Sequence, residues 1–154
     1  MATVVRLDDV LASRELWRGH AMPASREVVC PTGLDGLDAV LPSGGWPHGL
    51  TELLVPADGV GELRLLWPAL ARLGAQGGRI VLVAPPYVPY APAWEAAGVP
   101  LRMLQLIEAD GLDALWAAEQ CMRSGTCAAV LCWPRTSDDR LLRRLQGRER
   151  SRSW

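Results

Sequence analysis

Residues 50–73, LTELLVPADGVGELRLLWPALARL, have the layout of a nucleotide-binding strand–loop–helix unit. A phosphate-binding loop of this type needs glycines that let the backbone approach the phosphates, then a lysine and a hydroxyl. Aligned on Gly61, the loop has Pro56 at the first glycine, Glu62 at the lysine and Leu63 at the hydroxyl. Because the chain contains no lysine, we interpret the unit as a nucleotide-binding shape that has lost its nucleotide.

Length and composition predict one domain with an uneven charge. A chain of 154 residues can bury about 70% of its unfolded surface in one core. No apolar run reaches the roughly 18 residues that span a bilayer, and no signal-peptide pattern opens the chain, so we expect a cytoplasmic protein without a membrane partner. Residues 135–154 carry seven arginines against three carboxylates, about +4, which leaves about −5 elsewhere for the net charge of −1. We interpret this end as a solvated tail, with phosphate contact as the alternative.

Apolar runs alternate with helical patterns along the rest of the chain, which predicts parallel βαβ units. We expect four strands, near residues 51–55, 80–84, 103–107 and 128–133. A central, mostly parallel sheet flanked by helices follows from this order.

Two helices are predicted from periodicity and end signals. The first covers residues 61–73 and contains Pro68, which removes one backbone hydrogen bond and predicts a kink. The second covers residues 112–124, with Asp110 as its N-terminal cap and Gly125 at its C-terminal end. We expect Leu112, Leu115, Cys121 and Met122 to face inward from it.

Several motifs between residues 11 and 142 resemble a known family. They include TGLDGLDAVL from Thr32, the turn GGWPHG, the proline–tyrosine block APPYVPYAP from Ala84 and LWAAE at residues 115–119. The first of these is similar to the entry of the RecA-like recombinase core, and the fuller set resembles the ImuA group of that superfamily. The resemblance implies an α/β fold with a RecA-like core. A related group, the SulA cell-division inhibitors, shares the degenerate core.

The resemblance divides the chain into three parts. Residues 1–29 form an N-terminal helix and linker, residues 30–146 a RecA-like core with a degenerate nucleotide site, and residues 147–154 an arginine-rich tail. The tail supplies no strand where the family has more core sheet. We therefore expect a sheet cut short on its C-terminal side, by truncation or a change of reading frame.

No catalytic, cofactor-binding or metal-binding residue is expected. In a RecA-like ATPase the second core strand ends on a glutamate that activates water, and this chain has Pro85 there. The acid that supports the metal falls at Trp133. Phosphoryl transfer depends on a cation, a metal and a positioned base, so their joint loss predicts a protein that is not an enzyme and binds no cofactor. Four cysteines without CxxC spacing are interpreted as buried, reduced thiols.

As an ImuA-type protein, the chain would be a non-catalytic accessory protein of SOS-induced mutagenic translesion DNA synthesis. Its implied partners are an inactive Y-family polymerase homologue, an error-prone replicative-type polymerase and RecA, with direct DNA contact left open. The alternative is a SulA-like cell-division inhibitor that binds a tubulin-like filament protein. A nucleotide switch with unusual ligation is a third possibility.

Contacts with partners are expected from exposed aromatic and apolar side chains, because tyrosine and tryptophan are common in binding hot spots. The candidates in the N-terminal helix are Leu11, Leu16 and Trp17, and those in the core are Tyr87, Tyr90 and Trp94. Core packing is the competing interpretation for each of them.

Overall fold

A computed structural model describes residues 30–47, 49–135 and 139–147. The predicted N-terminal helix and linker lie outside these residues, as does nearly all of the arginine-rich tail. The helices are α1 (Asp35–Asp38), α2 (Glu62–Ala75), α3 (Ala91–Ala96), α4 (Leu112–Ser124) and α5 (Asp139–Gly147). The strands are β1 (Arg79–Val83), β2 (Leu104–Ile107) and β3 (Cys127–Cys132), and a short 3₁₀ turn, Leu101–Met103, leads into β2.

The three strands form a parallel sheet with β1 in the centre. Its order is β2-β1-β3, and Leu82 of β1 stands opposite Leu106 on one side and Leu131 on the other. Three of the four predicted strands and the small α/β class are therefore confirmed. Helices cover both faces of β1, as parallel strands require.

The alternation of side chains along β1 divides the core into two layers. Ile80 and Leu82 pack with Leu70 of α2, and Trp94 of α3 joins the same cluster. Val81 and Val83 point to the opposite face and pack against α4. Because β1 is covered on both faces, its sequence is a continuous apolar run rather than an alternating one.

The predicted strand at residues 51–55 is wrong. This segment carries no strand assignment and is exposed throughout, and the Leu54 side chain is 92% exposed. An apolar run becomes a strand only where a neighbouring strand takes up its backbone hydrogen bonds. In the described part of the chain, the sheet is built from β1, β2 and β3 without it.

Helix α2 follows this segment and tolerates Pro68 in its interior. It begins after Gly61, whose φ of 102° turns the chain into the helix. Pro68 also explains a glycine of the TGLDGLD motif, since a Cβ on Gly33 would lie 2.5 Å from the Pro68 Cβ. The motif therefore allows the α1 turn to pack closely against α2.

Hydrogen bonds hold the α1 turn closed. The Thr32 N–H donates to Asp38 Oδ1 at 2.9 Å, and this bond is the main reason that the pKa of Asp38 is below its usual value. The Leu34 N–H donates to Thr32 Oγ1 at 3.0 Å, and Thr32 is fully buried. The TGLDGLD motif therefore has a structural role here.

The predicted N-terminal cap of α4 is wrong. Gly111, with a φ of 54°, precedes the helix, and no side chain caps it; Asp110 contributes only its carbonyl, which accepts from the Asp113 N–H. Gly125 ends the helix in the left-handed region, as predicted. Leu115 is buried but Leu112 is 55% exposed, because the helix face that meets β1 and β3 runs through Ala114, Leu115 and Ala118.

A buried carboxylate joins α5 to α4. Arg144 of α5 donates to both oxygens of Glu119, at 2.8 and 3.0 Å, and Leu145 is buried beside them. Glu119 lies in the described core at 1% exposure, and such a charge needs a paired cation. Within the described ranges, no helix combines the length and apolar composition needed to cross a bilayer.

Candidate protein-binding surface

The carboxyl ends of the three parallel strands meet at one edge of the sheet. Ligands of open parallel sheets bind at this edge, where the connecting loops separate. A cleft of about 400 Å³ lies here. Its lining comes from the loops after each strand and includes Ala84, Pro85, Tyr87, Val88, Leu106, Glu108, Asp110, Trp133 and Arg135.

The loop after β1 leaves the sheet abruptly. The Ala84 N–H still bonds the Ile107 carbonyl at 2.8 Å, but its φ of 51° is unusual for a residue with a Cβ. Pro85 and Pro86 then fix φ at two successive residues and supply no N–H for a neighbouring strand, and the chain bends at Pro86 and Tyr87. As a result Tyr87 and Val88 project into solvent, at 67% and 87% exposure, and Tyr90 is similarly exposed.

Glu62 occupies the loop that resembles a phosphate-binding loop. Its carboxylate accepts hydrogen bonds from the Gly59 N–H at 3.3 Å and from the Gly61 N–H at 3.1 Å. These backbone donors precede the N-terminus of α2, where a nucleotide-binding protein would place a phosphate. A negative charge of the chain itself therefore takes the position of a bound anion.

The two loops meet. A Cβ on Gly59 would lie 3.7 Å from Cε2 of Tyr87, so residues 56–61 run beside the proline–tyrosine block. We give the name apolar corner to six exposed apolar side chains of these two loops and the residues that flank them, Leu54, Val55, Val60, Tyr87, Val88 and Tyr90. It adjoins the cleft through Tyr87 and Val88.

The structure separates the predicted contact residues. Tyr87 and Tyr90 lie in the apolar corner, as predicted. Trp94 does not, because it is 2% exposed and packs edge-to-face on Trp67, with ring centroids 6.4 Å apart. Leu11, Leu16 and Trp17 lie outside the described residues.

Other residues of this edge were missed from the sequence. Pro85 and Trp133 line the same cleft, in agreement with their predicted positions at the ends of two parallel strands. Glu108 and Asp110 line this cleft as well. The signal was available: Glu108 directly follows the predicted strand at residues 103–107, Asp110 lies two residues after Glu108, and parallel strands end at the same edge. Val60 was missed because it was taken as part of a phosphate loop.

The described residues contain no cluster of three or more histidine, cysteine or acidic side chains that could hold a metal. The four cysteines, predicted to be buried, are all partly exposed. Cys132 lies at the end of β3, where burial raises the pKa of its thiol to about 11. Burial, and after it the neighbouring Cys127, also raises the pKa of Cys121. Thiols with raised pKa values carry little thiolate, which is the nucleophilic form. The Cys132 thiol at this edge is therefore a poor nucleophile.

Comparisons with known proteins find relatives that are named cell division inhibitors. No family model matches the chain. It is 36% identical over 80 residues to "Cell division inhibitor SulA" of Edwardsiella piscicida, a match that covers 50% of this chain and 48% of that protein. A protein of the same name from Pectobacterium carotovorum is 32% identical over 85 residues, covering 54% and 51%. The chain spans about half the length of the curated relatives that it matches.

A solved structure has a related fold. SulA from Pseudomonas aeruginosa aligns with a TM-score of 0.55 at 23% identity, over 68% of this chain and 90% of that one. At this identity the likeness concerns the fold alone. It agrees with a small α/β protein built on a parallel sheet.

These findings overturn the assignment to the ImuA group. Three curated relatives and the solved structure are all named SulA. The predicted role in mutagenic translesion synthesis, on a pseudo-ATPase scaffold, is therefore wrong. The predicted partners, a polymerase homologue, an error-prone polymerase and RecA, are wrong with it. The error arose because the resemblance lay in the degenerate core, which the two groups share.

Proposed function

We propose that this chain is a cell-division inhibitor that acts by binding a tubulin-like filament protein. The observation that carries the proposal is the similarity of half the chain to proteins named cell division inhibitor, at 32–36% identity. The similar fold of SulA from Pseudomonas aeruginosa supports it.

The mechanism proposed is binding without catalysis. Glu62 occupies the loop amides that would otherwise hold a phosphate, and the chain contains no lysine. Pro85 and Trp133 stand where a nucleotide hydrolase would need a base and a metal-supporting acid. These substitutions support a protein that is not an enzyme. A RecA-like ancestry of the core and a cytoplasmic location belong to the same proposal.

A surface for such binding exists at the carboxyl edge. Soluble monomeric proteins rarely keep several large apolar side chains together in water, and contiguous patches usually mark interaction sites. The apolar corner comprises six such side chains from two segments that meet at Gly59 and Tyr87.

Controlled expression in a rod-shaped bacterium tests the proposed function. Cells that produce the full chain should grow into filaments with regularly spaced nucleoids and few division septa, while DNA synthesis continues at the rate of an empty-vector control. The purified chain should also reduce the pelleting of the tubulin-like filament protein in a sedimentation assay. Normal division at high expression, together with unchanged pelleting, would refute the proposal.

A further inference from the structure

The apolar corner contains side chains whose exposure has no explanation in the fold. Leu54 and Val88 are the two most exposed large apolar side chains that the structure describes. Tyr87, Tyr90 and Val60, from the same two loops, are also more than half exposed. Covering this group would remove apolar area from water, which favours association.

The charge around the corner has one predominant sign. The segment that leads into α2 carries Glu52, Asp58 and Glu62, and the adjoining cleft carries Glu108 and Asp110. Two arginines belong to the same segments, Arg64 in the first turn of α2 and Arg135 in the cleft. Five carboxylates against two guanidinium groups leave these segments with a net negative charge, whereas α5 carries the three arginines Arg140, Arg143 and Arg144.

This arrangement has the anatomy of a protein interface, with an apolar centre and a charged rim. The loop that presents Tyr87 and Val88 contains Pro85, Pro86 and Pro89, so little backbone freedom is lost when a partner binds. The apolar corner is thus preorganised for binding, and the negative charge around it favours partners with a positively charged surface.

We infer that the apolar corner binds an apolar segment of the partner protein that is flanked by lysine or arginine side chains. Charge complementarity carries the inference: the basic flanks meet Glu108, Asp110 and Asp58, while the apolar part covers Leu54, Tyr87 and Val88. The inference takes the partner from the proposed function, but the surface and its charge are read from this structure.

Photo-cross-linking in cells tests the surface directly. Benzoylphenylalanine replaces Tyr87 in the full chain, and Trp116, an aromatic residue 58% exposed on the outer face of α4, is replaced in a matched control. After irradiation, tandem mass spectrometry identifies the partner segment in each adduct. We expect an adduct from position 87 whose captured segment is apolar and flanked by basic residues, and none of comparable yield from position 116.

The possible results separate the inference from the proposed function. An adduct with the filament protein through a basic, apolar segment supports both. The same kind of segment from another protein supports the surface and refutes the filament partner. No adduct from position 87, or an acidic captured segment, overturns the inference even where cells still form filaments.

Charge reversal provides a second measurement on the purified chain and the filament protein. Glu108→Arg combined with Asp110→Arg should weaken binding by about tenfold and remove most of its dependence on salt concentration. Val88→Asp should weaken it by a similar factor, whereas Trp116→Ala should change it less than about twofold. Binding that is unchanged or tighter after charge reversal would contradict a basic partner segment. Circular dichroism confirms that each variant is folded.

Discussion

Two apolar runs of equal length differ in burial: one forms the central strand and the other lies exposed outside the sheet. The run RIVLV at residues 79–83 becomes the central strand, and four of its five side chains are completely buried. The run TELLV at residues 51–55 stays outside the sheet with Leu54 in solvent. Both precede loops at the carboxyl edge. The difference teaches that an apolar run defines a candidate strand, while neighbouring strands and covering helices decide whether it is buried.

The largest expected effect comes from truncating the same residue type in the two runs. Leu82→Ala should lower the free energy of unfolding by about 2–5 kcal/mol, because it leaves a cavity between β1 and α2. Leu54→Ala should change it by about 0.5 kcal/mol or less, since the side chain is already in water. Urea denaturation followed by circular dichroism measures both. Equal losses would show that the 51–55 run is buried in solution.

A smaller effect is expected from the ion pair between α4 and α5. Arg144→Met leaves the buried carboxylate of Glu119 without this cation and should cost about 1–2 kcal/mol, a value reduced from that of fully buried pairs because Arg144 is half exposed. Arg143→Met, on the outer face of the same helix, is the matched control and should cost about 0.5 kcal/mol or less. The same urea titrations apply. If both variants lose the same stability, the pair does not hold α5 in place.

The thiol of Cys132 should make the free energy of unfolding depend on pH in the alkaline range. Its pKa is about 11 in the folded chain against 9.0 for an ordinary thiol, so between these values the unfolded chain has lost the proton that the folded chain retains. Stability therefore falls as pH rises through this range, by about 1 kcal/mol at most because the group is only partly buried. Urea midpoints at pH 8 and pH 10 should differ less for Cys132→Ala than for the natural chain. An identical pH dependence in both would contradict this assignment.

The smallest expected effect concerns the exposed loop before α2. Mg-ATP should produce no heat of binding in isothermal titration. Glu62 already satisfies the Gly59 and Gly61 N–H groups, and its charge repels phosphate. Glu62→Ala should free these donors yet still bind no nucleotide with useful affinity, because the chain has no lysine to place on the phosphates. A micromolar constant for the natural chain that disappears in Glu62→Ala would refute this account of the loop.

Local sequence signals located most of the secondary structure. The apolar runs at residues 80–84, 103–107 and 128–133 and the helical spacing of Leu63, Leu66 and Leu70 fixed where strands and helices form. Gly125 marked the end of α4 because its left-handed conformation suits glycine. The loss of the phosphate-binding lysine and of the hydroxyl from the loop could also be predicted from the sequence, because a single residue supplies each of these groups.

What the sequence determined by itself was the small α/β class, the parallel order of alternating elements and the absence of a phosphate-binding lysine. These follow from periodicity and residue identity, which are local. Only the tertiary structure decided that residues 51–55 stay exposed, that Trp94 is buried against Trp67, and that Glu108 and Asp110 share a cleft with Tyr87. Each of these depends on contacts between segments distant along the chain. Burial and proximity are properties of the packed whole, and no short pattern encodes them.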